Sequence, residues 1–123
     1  MKKKKITLAG KQVTVAYCYA TEIAYKDLSG QDIADFMAEV GEAIAANKMP
    51  DVKKSIFLIV AAIMSYYETK KEDVPISDAQ IMTDATPLEM GAAIGAVINL
   101  RSEFYALPEG EPKNEKKAGK GKN

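Results

Sequence analysis

A mostly helical α+β domain is the fold class this sequence predicts, with an N-terminal β-hairpin packed on a bundle of about five helices. Three observations predict it. Ile56 to Met64 is apolar at every position, with no polar residue for two and a half turns. Two short runs near the start, Ile6-Thr7-Leu8 and Val13-Thr14-Val15, alternate apolar and polar residues around Gly10. From Glu109 onward no aromatic or branched aliphatic residue occurs. The predicted organisation is therefore one domain over residues 1–108 and a disordered charged tail over 109–123.

The apolar run is the organising element. A helix that is apolar all round must be covered all round. A bilayer could supply that cover, but spanning one needs about 20 consecutive apolar residues. Lys53, Lys54 and Ser55 on one side and Ser65 and Glu68 on the other interrupt the run too early. Asp51 to Glu72 thus reads as the central core helix, opened by Pro50.

Taken in order, Lys5 to Val15 forms the hairpin, since alternation with period two is the strand signal. Gly10-Lys11 suits a two-residue type II′ turn, and the Ile6/Leu8/Val13/Val15 face must rest on helices because an isolated hairpin is marginal. The Lys2 to Lys5 run then precedes an edge strand, where positive charge discourages aberrant pairing. A helix follows over Tyr17 to Leu28, with Tyr19 or Thr21 near its start and Ser29-Gly30 as its stop. Ile23 and Leu28 are expected to face inward there, flanked by Tyr19 and Tyr25.

Asp32 to Asn47 is the clearest amphipathic segment. Ile33, Phe36, Met37, Val40 and Ile44 recur at helical steps, while Asp32, Asp35, Glu39 and Glu42 mark the wet side. After Asp73-Val74-Pro75, Ser77 with Gln80 signals a capping box and a short helix. Thr86-Pro87-Leu88-Glu89 is a stronger start, with an N-cap Thr, Pro at the first position and Glu at the third. That helix runs to about Tyr105, with Leu88, Ala92, Ile94, Val97, Ile98 and Leu100 as its apolar content, and ends before Pro108. Gly91 and Gly95 have the small-xxx-small spacing of close helix contacts, which places the last helix directly against Ile56–Met64.

Composition narrows the function classes. Of 123 residues, 17 are Lys or Arg and 17 Asp or Glu. Lys2–Lys5 carry +4 and residues 109–123 hold five Lys against three Glu, so the body from Ile6 to Pro108 carries −6. An acidic body repels phosphate backbones, which disfavours nucleic acid as a partner. No secretory leader is expected, because Thr7, Gly10, Lys11 and Gln12 break any apolar run after the lysines. One cysteine, Cys18, fits a reducing compartment, and the expected location is cytoplasmic.

Histidine is absent, which removes the commonest general base and the commonest metal ligand. The carboxylates at 32, 35, 39 and 42 read as a solvated helix face rather than a metal cluster, and Cys18 as a small buried residue. No catalytic, cofactor-binding or metal-ligating residue is expected, so no enzyme and no cofactor. The aromatics at helix ends remain. Tyr25, Tyr66, Tyr67, Phe104 and Tyr105 are the candidate partner-binding residues, with rim packing as the alternative.

The order of elements resembles a known family. A lysine-led hairpin, Lys5-Ile6-Thr7-Leu8-Ala9-Gly10-Lys11-Gln12-Val13-Thr14-Val15, leads into a helix with Tyr19, Tyr25 and Leu28. Helices with Asp32-Ile33-Ala34-Asp35-Phe36 and Ile56–Met64, a Ser77-centred segment, a closing helix and a charged tail follow. This layout resembles the tail assembly chaperones of long-tailed bacteriophages and prophages. The resemblance implies a non-enzymatic protein of the bacterial host cytoplasm, absent from the mature virion. Its implied partners are the tape measure protein and the tail tube protein; homo-oligomerisation stays open. A frameshifted longer form is also implied, with the Lys116-Lys117 and Gly119-Lys120 codons as candidate slippage sites. The alternative is a small phage or plasmid DNA-associated regulator, or another protein-binding module, using the lysine-rich ends.

Overall fold

The computed structural model describes residues 1–106. Strands β1 (Lys2–Leu8) and β2 (Lys11–Tyr17) lead into α1 (Tyr19–Ser29), α2 (Ile33–Ala45), α3 (Val52–Lys70), α4 (Asp78–Asp84) and α5 (Pro87–Tyr105). The expected α+β architecture is present: an antiparallel hairpin on a helical body. The tail expected over 109–123 lies outside the described residues. No described helix is long and apolar enough to cross a membrane.

Helix α3 is the centre of the packing, in contact with β2, α1 and α5. Leu58 through Ile63 are buried without a break, while Ile56, Phe57 and Met64 are half-buried. Covering on all sides is what six successive apolar residues of one helix require. Asp51 caps the helix by accepting a hydrogen bond from the Lys54 amide at 2.9 Å. Lys71, at φ 56°, closes it in the left-handed region.

The strands pair with Ile6 opposite Val13 and Leu8 opposite Lys11. Ile6, Leu8, Val13 and Val15 share the inward face, as the alternation requires, with Ile6 half-buried and the others buried. The turn falls one residue earlier than the expected Gly10-Lys11. Ala9 and Gly10 form it, with φ of 50° and 77°, and two positive values make it type I′ rather than II′. An alanine in that region is strained. The offset comes from α5: the Ala9 and Gly10 amides donate to the Glu89 carboxylate at 3.0 and 3.1 Å.

Strand β2 is covered more fully than a hairpin strand facing one layer, for Val13 through Tyr17 are all buried. Its outer edge is closed by side chains. The Thr14 amide donates to the Tyr67 hydroxyl at 3.0 Å, and the Ala16 carbonyl accepts from Thr21 Oγ1 at 3.2 Å. Thr21 in turn shares a 2.6 Å hydrogen bond with Ser65 on α3. A buried polar pair of this kind is tolerable only because each hydroxyl has a partner.

Helix α1 differs most from expectation. Tyr17 ends β2 instead of opening the helix, and Cys18 is the N-cap. Thr21 and Tyr25, four residues apart, face inward, whereas Ile23 is 62% exposed and Leu28 38%. The Tyr25 ring stacks on Phe36 of α2 with centroids 5.6 Å apart, and its hydroxyl donates to Gln31 at 2.9 Å. Those two contacts outweigh exposing one isoleucine.

On α5 the expected glycine contact does not form. A Cβ added at Gly91 or Gly95 would meet nothing within 4 Å. Ala93, Ile94, Ala96, Val97 and Leu100 make the buried face instead. Leu88 and Ile44, both expected in apolar stripes, are 84% and 65% exposed.

Candidate partner-binding surfaces

The five aromatic candidates do not form one site. Tyr25 and Tyr67 are withdrawn from any surface, since both are buried and both hydroxyls are used within the fold. Tyr66 is half-buried beside β1, edge-on to Tyr67 at 4.9 Å, with Lys3 Nζ 5.6 Å above its ring. Phe104 and Tyr105 lie apart from Tyr66, where α5 finishes against the start of α1.

That end is an aromatic cluster. The Phe104 ring lies 5.6 Å from Tyr17, 5.0 Å from Tyr19 and 5.0 Å from Tyr105. Tyr17 donates its hydroxyl to Glu22 at 2.7 Å, and Tyr105 donates to the same carboxylate oxygen. Burial, followed by the Glu22 carboxylate, drives the Tyr17 phenol well above its usual range. Such a tyrosine stays a neutral donor and is useless as a base. Arg101 packs on the Tyr105 ring at 5.2 Å, its Nε buried without a partner.

Sequence reasoning missed an apolar groove. The start of α3, helix α4 and the start of α5 surround a groove whose exposed lining includes Met49, Val52 and Met82, each 63–64% exposed. Pro50, Ile56 and Met90 form part of its floor and walls. Its volume is about 190 Å³, below the roughly 300–1,000 Å³ of small-molecule sites. A groove of that size admits side chains rather than a whole cofactor. Methionine is flexible and polarizable, which suits it to varied apolar partners. The available sequence signal was modest: three large apolar residues beside Pro50 and Pro87, outside any amphipathic stripe.

Two of the four carboxylates at the start and along α2, Asp32 and Glu39, are engaged in ion pairs or hydrogen bonds. Asp32 lies 3.1 Å from Lys26 Nζ, and Glu39 lies 2.9 Å from Lys54 Nζ and 2.5 Å from Gln31 Nε2. Lys54 first, then Gln31, holds the Glu39 carboxyl below its ordinary range. Among the described residues, no group of three or more His, Cys, Asp or Glu side chains could hold a metal ion.

No family model matches the chain, and neither a curated protein nor a solved structure is measurably similar to it.

Proposed function

We propose that this chain is a non-enzymatic assembly chaperone that covers apolar helical segments of a larger protein. The observation that carries the proposal is the groove holding Met49, Val52 and Met82. These side chains lie exposed around a depression too small for a ligand of drug size. An amphipathic helix buries its apolar face in such grooves through anchors three, four and seven residues apart. Each anchor contributes roughly 25 cal/mol per Å² removed from water, so a row of shallow contacts along a long partner is enough. Repeated copies along one partner gain further from multivalency.

The chaperone reading joins the groove to the layout that resembles phage tail assembly chaperones. In that reading the partner is a tape measure protein, the tail tube protein is recruited afterwards, and the complex forms in the host cytoplasm. The methionines themselves provide the test. On titration with an amphipathic segment of the tape measure protein, the methyl resonances of Met49, Met82 and Met90 should shift, and those of Met37 and Met64 should not. Shifts confined to Met37 and Met64, or none at all at saturating segment, would refute the groove as the binding surface.

A further inference from the structure

We propose that the outer edge of β1 is a second docking site, which takes an acidic extended segment of another protein as a third strand. The register establishes that this edge is open. The Thr14 amide points away from β1 to Tyr67, so Thr14 and its opposite residue Lys5 form a non-hydrogen-bonded pair. By alternation, the amides and carbonyls of Lys3, Lys5 and Thr7 all point outward. Among the described residues none of these groups meets a hydrogen-bond partner. The corresponding edge of β2 is closed by Tyr67 and Thr21, which makes the open row on β1 a local feature and not a property of the whole hairpin.

Space and charge define the occupant. A trough runs between this edge and α5, lined by Lys4, Lys5, Ile6, Leu88, Ala92 and Ala96. Alanine at 92 and 96 leaves room for a backbone, and Leu88, 84% exposed, offers it an apolar contact. Lys2 through Lys5 are all exposed. A second copy would place four lysines against four, which repels; lysines on an edge serve that protective purpose. The same charges attract a strand carrying carboxylates. Side chains alternate across a strand, so one set would lie over Leu88 and Ala92 and the other beside Lys3 and Lys5. The segment that fits alternates apolar and acidic residues.

The probe is a fluorescein-labelled peptide of about ten residues, the upper length of ordinary strands, alternating Glu and Val. Its counterpart alternates Lys and Val. Fluorescence anisotropy with the full chain should show binding of the Glu peptide that weakens with added salt. Amide exchange should slow at Lys3, Lys5 and Thr7. Thr7→Pro removes an outward donor, keeps every lysine and leaves the ladder to β2 intact, so binding should weaken about tenfold, one hydrogen bond's worth. The paired Lys3→Glu and Lys5→Glu change, at exposed positions, should transfer binding to the Lys peptide. Met82→Lys, in the groove, should leave binding unchanged, so failure here is distinct from failure of the chaperone reading. Equal binding of both peptides, protection in the groove instead of β1, or a dimer that excludes the peptide would each overturn the proposal.

Discussion

Tyr67→Phe removes one oxygen and leaves the Thr14 amide buried with no acceptor. Because Thr14 is 8% exposed, water cannot replace the lost partner. The expected cost is about 1–3 kcal/mol, the usual penalty for stranding a buried donor. It should appear as a lower denaturation midpoint at an unchanged slope; an unchanged midpoint would show that the hydroxyl contributes nothing. Glu89 has a different signature. The Thr86 and Gly10 amides, and then that of Ala9, hold its carboxyl below the ordinary 4.5. A depressed value means that the stabilisation is present above pH 4.5 and is lost as pH falls through the folded-state value. Glu89→Gln should therefore melt below the parent at pH 7, with the gap shrinking toward pH 3. A gap that is constant across that range would contradict the role assigned to the carboxylate.

At the scale of elements, the difference between α3 and the amphipathic helices is testable by truncation. Ile59 is fully buried and Ile44 is 65% exposed. Ile59→Ala should cost about 2–5 kcal/mol, while Ile44→Ala should stay within about 0.5 kcal/mol. Equal losses would mean that α3 is not the centre of the core. Elements were legible in the sequence where their signals are local. Ser77 and Thr86 each cap the helix they were expected to start, since capping needs only a side chain and an amide three residues on. The inward face of α1 was not legible. Its outcome depends on Phe36 and Ser65 on other helices and on Gln31 in the loop after α1, which select Tyr25 and Thr21 over Ile23. Gly91 and Gly95 misled for the same reason, because spacing cannot reveal which side of α5 meets α3. Glu89 had a visible role as a helix cap and an invisible one as the anchor of the turn at residues 9–10.

At the scale of the whole molecule, apolar and charged surfaces are separated. The methionine groove lies among α3, α4 and α5, whereas the open lysine edge of β1 lies along the other side of α5. The aromatic candidates were chosen for residue type and for places at helix ends, and burial divided them between the core and two separate surfaces. Met49, Val52 and Met82 went unnoticed because a groove between three elements leaves no periodic trace in any of them. The central claim is that this groove keeps an apolar partner in solution. Co-expression of the proposed partner, a tape measure protein, with the parent chain, with Met82→Lys and with neither measures that directly, as the fraction of the partner in the soluble lysate. Met82 is exposed, so the variant should fold as the parent does, which its melting curve will show. The account predicts a soluble partner with the parent chain, and an insoluble one with the variant or alone. A partner equally soluble in all three, or equally insoluble in all three, would contradict it.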